Sequence, residues 1–230
     1  MSQLALPLQL ADHAVFASFL DSGNEALVAT LASVSEGRSA QGCWLWGGSA
    51  TGKTHLLQAV CDRAGDSSIY LPMAMLAAAG PGILEGLGDR QIVCIDDIDR
   101  VAGSDEWERA LFTLFNELDA GDGLLVVSAR AAPRECGFSL ADLASRMSRL
   151  PVFQLRSLDE GNLAAALRLR AGHRGLELPD ETAAYLLKRS RRDMASLYEL
   201  LDKLDLEALR AQRRLTIPFV RSVLRGTADG

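Results

Sequence analysis

Long apolar runs are missing from this sequence. Nothing in its 230 residues approaches the ~18 apolar residues that a membrane-spanning helix needs, so no membrane partner is expected. The start, Met1-Ser2-Gln3-Leu4-Ala5-Leu6-Pro7-Leu8, lacks the basic segment of a secretory signal. Cysteine is scarce and scattered: Cys43, Cys61, Cys94 and Cys136 form no Cys-x-x-Cys pair. That excludes a disulfide framework or zinc site and fits buried, reduced thiols in a cytoplasmic protein. His13, His55 and His173 are too dispersed for a histidine metal centre. A large basic excess is also missing. Residues 1–150 carry 10 Lys+Arg against 19 Asp+Glu, and residues 151–230 carry 14 against 11. An acidic body followed by a mildly basic end argues against a protein that coats nucleic acid with its whole surface. It suggests two modules with different surfaces. What is present, 48% hydrophobic and 23% charged residues, is ordinary globular composition rather than that of a disordered chain.

Short apolar runs bounded by glycine or polar residues alternate with helical patterns through the first two thirds of the chain. Residues 42–47 (GCWLWG), 68–71, 91–95 (QIVCI), 124–128 (LLVVS) and 152–155 read as buried strands. Residues 14–31, with a break at Asp21-Ser22-Gly23-Asn24, and residues 54–64, 105–119 and 140–150 read as helices. Such alternation predicts a parallel α/β sheet with helices on both faces. From Asp159 to Leu224 only helical periodicity remains, interrupted by Gly172, Gly175, Pro179 and Pro218. The expected division is a tail over 1–12, an α/β nucleotide-binding domain over 13–158 and a small helical domain over 159–230.

Gly47-Gly48-Ser49-Ala50-Thr51-Gly52-Lys53-Thr54 matches G-x-x-x-x-G-K-[ST] in full, between a predicted strand and a predicted helix. Its glycines let backbone N–H groups face an anion. The following helix N-terminus, reaching His55, adds partial positive charge. Lys53 is suited to β/γ-phosphates and the Thr54 hydroxyl to Mg²⁺. Asp96 and Asp97 end the QIVCI strand. Asp96 is the candidate Mg²⁺ carboxylate, and Asp97 the candidate for polarising an attacking water. Helix capping is the plainer explanation of such a pair taken alone. Trp44 and Trp46 alternate with apolar neighbours and read as core rather than as a stacking platform.

A phosphate loop, a strand ending in Asp-Asp and a helical C-terminal module together resemble the AAA+ ATPases. Ile95-Asp96-Asp97-Ile98, Phe16 and Phe19 with Gly23-Asn24, and Leu143-Ala144-Ser145-Arg146 are similar to the DnaA-related branch of that family. Both ends, Gln3-Leu4-Ala5-Leu6-Pro7-Leu8 and Arg213-Arg214-Leu215-Thr216-Ile217-Pro218-Phe219-Val220, resemble the Hda family within it. The resemblance implies a five-stranded parallel AAA+ sheet with a helical lid, binding ADP or ATP with Mg²⁺. It implies that Gln3, Leu4, Leu6, Pro7 and Leu8 grip the DNA polymerase sliding clamp. It further implies that Arg146 acts as an arginine finger on ATP held by DnaA, switching the initiator off. A homodimer or higher oligomer fits the same picture. Contact with DNA is expected to be only indirect, since the resemblance to Hda rather than to DnaA itself implies no helix-turn-helix module.

By the same resemblance, Ala129 takes the place of a polar sensor after the fourth strand, and Ala195 that of an arginine sensor in the lid. Own turnover of ATP is therefore expected to be weak. Whether the chain is itself an enzyme stays open, the alternative being a loader or motor that hydrolyses its own ATP. Without the family context, Arg146 is an ordinary arginine near a helix end, and residues 3–8 are an ordinary terminal tail. The basic residues Lys188, Arg189, Arg191, Arg192, Arg210, Arg213 and Arg214 read by default as a solvated helix face.

Overall fold

A computed structural model describes residues 14–189 and 194–226, apart from the side chains of residues 160, 194, 195, 225 and 226. The residues fall into two compact units, one built on Asn24–Arg156 and one on Ser157 onward together with Ala17–Gly23.

The first unit holds a five-stranded sheet. Its strands are β1 (Cys43–Trp46), β2 (Ser68–Pro72), β3 (Ile92–Asp96), β4 (Leu124–Ala129) and β5 (Val152–Gln154). Their order is β2-β3-β4-β1-β5, and every pairing is parallel. The five strand runs of the sequence are these five strands. Central β3 is buried along its length, which explains why its sequence is continuously apolar rather than alternating. Gly42, just before β1, is required by space: a Cβ there would stand 1.8 Å from the Leu125 carbonyl oxygen.

Parallel strands need crossover helices. Helices α1 (Glu25–Ser35) and α2 (Lys53–Ala64) pack against each other, α2 lying on β2, β3 and β4. The other face carries α3 (Met73–Leu76), α4 (Asp105–Ala120) and α5 (Ala141–Met147). There Trp44, Val93, Ile95, Val127 and Ala129 of the sheet share one core with Met73, Leu111, Leu114, Leu143 and Met147 of the helices. Each fully buried large apolar side chain among them is worth about 1.5–3 kcal/mol. The apolar stripe of α4 is the clearest amphipathic pattern in this unit: Trp107, Leu111, Leu114, Phe115 and Leu118 are buried while Arg109, Thr113 and Asp119 are exposed.

Two local readings are corrected, and one segment without a reading takes shape. The segment expected as a helix from residue 14 is only a 3-10 turn, Phe16–Ser18, before Asn24 and α1. Asn24 itself is 5% exposed and ties the domain ends: its Oδ1 accepts from the Arg156 N–H and its Nδ2 donates to the Arg156 carbonyl. Second, Ala17–Gly23 belong with the C-terminal unit, where the Asn162 amide donates to the Ser22 hydroxyl at 3.1 Å. Residues 73–84, which show no clear period in sequence, form α3 and two 3-10 turns.

The C-terminal unit has, among the described residues, four helices: α6 (Glu160–His173), α7 (Asp180–Arg189), α8 (Met194–Ala211) and α9 (Ile217–Gly226). Asp159 caps α6 by accepting from the Asn162 N–H. Gly175 turns the chain at φ 74°, whereas Gly172 continues α6 and Pro218 lies in the first turn of α9, where its missing N–H costs nothing. Leu167, Ala171, Ala183, Leu186, Leu201, Leu204 and Val220 are its core. Arg174, almost fully buried, pairs with Asp202 and Asp205 of α8, and Arg170 stacks 4.0 Å over the Tyr198 ring.

Candidate nucleotide-binding site

The phosphate loop leaves the carboxyl end of β1 and opens α2. Gly47 fits where no side chain would: its Cβ would stand 2.7 Å from the Leu155 carbonyl oxygen. The Gly47 N–H donates to the Ala129 carbonyl at 3.2 Å, fastening the loop to the end of β4. Ala50 (φ 58°) and Gly52 (φ 101°) are left-handed, the alternation that turns successive N–H groups toward one concavity. The Gly52 carbonyl accepts from the Leu56 N–H, and no side chain caps α2. The N–H groups of Lys53, Thr54 and His55 thus head the helix as anion donors. Thr51 stiffens the loop by donating to the Gly48 carbonyl at 3.1 Å; Ser49 is exposed at its tip.

Lys53 is buried, and its Nζ donates to the Gly47 and Gly48 carbonyls at 3.0 and 2.8 Å. Burial lowers its pKa, and the charges of Asp97, Asp96 and Asp99 oppose that shift. Asp96 ends β3, only 4% exposed. Its Oδ2 accepts from the Thr54 hydroxyl at 2.7 Å and from the Tyr70 hydroxyl at 2.8 Å. Its Oδ1 accepts from the Ser128 hydroxyl. Asp97 sits in the left-handed region at φ 54°, its N–H donating to Ser128 Oγ at 3.0 Å. Burial, then the charges of Asp96 and Asp99, push the Asp97 carboxyl above its usual range.

A threonine hydroxyl and a carboxylate joined beside a phosphate loop are hard oxygen donors. They fit Mg²⁺, which takes one or two protein ligands and completes its shell with phosphate and water. Among the described residues no group of three His, Cys, Asp or Glu would hold a metal without such help.

The structure brings together Gly47–Thr54, Asp96 and Asp97. His55 is turned differently: its ring is buried and Nε2 lies 2.9 Å from the Val15 carbonyl oxygen, so only its backbone heads the helix. Ala129 is fully buried in the core on the α4 side. The polar residue that reaches the site from β4 is Ser128, one position earlier. Tyr70 is absent from the motif reading; Ser128 stood out there only as a polar residue, with Arg130, beside the place of the sensor. Ala195 lies in the first turn of α8, its side chain outside the described residues. Gln3, Leu4, Leu6, Pro7, Leu8, Arg191 and Arg192 also lie outside the described residues.

Arg146 lies elsewhere in the same unit. Because β4 ends and β5 begins at opposite edges of a parallel sheet, α5 runs back from the carboxyl edge to the amino edge. Arg146 is in its last turn, away from the phosphate loop. Its Nη1 is 3.9 Å from Asp119 Oδ2 and its guanidinium 5.9 Å from the Phe115 ring centre, with a third of the side chain exposed. Close by at the amino edge, Gly42, Leu118, Asp119, Leu124 and Arg149 line a small cavity.

A parallel sheet in this order, a phosphate loop between β1 and α2, and Asp96-Asp97 at the end of β3 make a fold of the AAA+ type around a candidate nucleotide site. Domain III of the Thermotoga maritima replication initiation protein DnaA superposes with a TM-score of 0.75 at 21% identity, over 94% of this chain and 98% of that one. AMPPCP-bound DnaA from Aquifex aeolicus follows with 0.70 at 19% identity, over 88% and 68%. The Thermotoga maritima RuvB Holliday junction branch migration motor gives 0.64 at 17%, over 90% and 69%. Residues 159–224 match the Hda lid domain family. The chain thus resembles DnaA-related AAA+ proteins in fold and the Hda family in its lid sequence. Among the described residues no helix is long and apolar enough to cross a membrane.

Proposed function

We propose that this protein is a regulator of replication initiation that binds ADP or ATP, docks on the sliding clamp and stimulates ATP hydrolysis by DnaA. The observation that carries the reading is the separation of parts within the first unit: a phosphate site at the carboxyl edge of the sheet, and Arg146 in the last turn of α5; the match of residues 159–224 to the Hda lid family supports it. An arginine so placed has nothing to do for its own nucleotide and is available to a neighbour's.

Gly47, Gly48, Ser49, Ala50, Thr51 and Gly52 would wrap the phosphates with backbone N–H groups, while Lys53 contributes the side-chain cation. Thr54 and Asp96 would hold Mg²⁺, which when bound supplies neutralisation of phosphate charge. Asp97 would orient water for whatever slow hydrolysis the chain performs itself. Toward DnaA, the Arg146 guanidinium would meet charge spreading over γ-phosphoryl oxygens in the transition state, an effect worth ~10³–10⁵ in rate where an arginine is supplied in trans. Asp119 and Phe115 hold the guanidinium loosely enough to be exchanged for a stronger anion. Gln3, Leu4, Leu6, Pro7 and Leu8 would enter an apolar groove on the clamp as an extended peptide. A cytoplasmic location follows from these partners, DNA being reached through the clamp.

The rival reading, a motor or loader that turns over its own ATP, is favoured by one observation: Ser128 joins Asp96 and Asp97 at the site, so the site is not devoid of a polar group from β4. Steady-state hydrolysis by the isolated protein separates the two. The direct test of the partners is a pull-down with clamp and DnaA, with and without ADP. Capture of both by the native protein, with clamp capture lost on replacing Gln3, Leu4 and Leu6 by alanine, supports the proposal. Capture of neither overturns it.

A further inference from the structure

We infer that Tyr70 sets how tightly the nucleotide site holds its divalent cation, by occupying the carboxylate that would ligate it. The inference rests on the reading of Thr54 and Asp96 as the Mg²⁺ ligands. Tyr70 is on β2, the edge strand of the sheet, paired in register with Cys94 two residues before Asp96. No phosphate-loop motif extends to that strand. Its hydroxyl nonetheless donates to Asp96 Oδ2 at 2.8 Å.

An ionised carboxylate has about four acceptor positions. Three hydroxyls, from Thr54, Tyr70 and Ser128, already use Asp96. Each draws electron density from oxygens that a cation would otherwise polarise, and a phenol is a stronger donor than an alkyl hydroxyl. Mg²⁺ gives up water reluctantly and answers to the anionic character of its few protein ligands. Asp96 is almost fully buried, so water does not take the place of a lost hydroxyl. Removing the phenol would leave an Oδ2 position that the cation would fill. Tyr70 thus weakens the metal's hold without touching the phosphates.

The test compares the native protein with Tyr70→Phe, which keeps the ring and its packing. Mn²⁺ affinity of the ADP-bound protein is read from the free Mn²⁺ signal in electron paramagnetic resonance. ADP affinity is measured by calorimetry in EDTA and in Mg²⁺. The inference expects Mn²⁺ binding to tighten about tenfold, the lower worth of one hydrogen bond to a charged group. ADP affinity in EDTA should stay unchanged, so that its gain on adding Mg²⁺ grows. Unchanged or weaker Mn²⁺ binding by a Tyr70→Phe protein that still binds ADP overturns the role of Tyr70 alone. Failure of the native protein to bind ADP, or Mn²⁺ with ADP, overturns the site reading and this inference with it.

Discussion

Glu108 offers a measurable consequence of the architecture that aims Arg146. It is fully buried on α4, and its recorded partners are all backbone. Oε1 accepts from the N–H groups of Gly103 at 2.6 Å and Ser139 at 3.0 Å; Oε2 accepts from Leu140 at 2.6 Å. Leu140 is the residue at which α5 begins. One carboxylate therefore ties the turn before α4 to the start of the helix that carries Arg146. Glu108→Gln keeps the volume but sets an amide donor against one of these N–H groups, losing a charge-assisted bond and leaving a buried donor unpaired, about 2–3 kcal/mol. Glu108→Ala strands all three donors and opens a cavity, about 4 kcal/mol. Urea unfolding followed by tryptophan fluorescence reads both, since Trp44, Trp46 and Trp107 are all in this unit. The ranking native, Gln, Ala is expected, with an unchanged slope. A Glu108→Ala protein within 1 kcal/mol of native would refute the view that this carboxylate organises the two turns.

Two further outcomes are expected. Lys53→Ala should weaken ADP binding at least tenfold, about the worth of a charged hydrogen-bonding group, as read by calorimetry; unchanged affinity would refute its place in the cradle. Asp97→Asn should raise thermal stability at neutral pH. The native carboxyl binds its proton more tightly folded than unfolded, so its contribution is present below the ordinary value of 3.8 and is lost as pH rises through the raised one. The amide has no such loss and suits the left-handed backbone at φ 54°. The gain over the native protein should therefore shrink toward acid pH. A gain that persists undiminished there would place its origin elsewhere.

The parts of this molecule written locally were legible in its sequence. Each strand is a compact apolar run, and the phosphate loop carries its context on either side. Long-range contacts were not. Tyr70 and Ser128 meet Asp96 from residues 26 and 32 positions away, and nothing near them marks the meeting. That Ser128 rather than Ala129 faces Asp96 was hidden because β4 is buried on both faces, so apolar residues fill both phases and the alternation that assigns a face is lost. Residues 73–84 escaped because elements as short as α3 span too few turns for a period to show. Ala17–Gly23 read as part of the first domain because sequence adjacency outweighed contacts, such as Ser22 with Asn162, made with residues far along the chain.

The central claim is that Arg146 acts on a partner's nucleotide and not on the chain's own. Conversion of DnaA-bound ATP to ADP, measured with clamp loaded on DNA, tests it with native protein, Arg146→Ala and Arg146→Lys. The alanine variant should bind ADP and clamp normally yet lose stimulation. Lysine should restore little, because an ammonium lacks the planar fork of the guanidinium. Stimulation by Arg146→Ala equal to that of the native protein would contradict the account and leave Arg146 as a residue that holds α5 against Asp119 and Phe115.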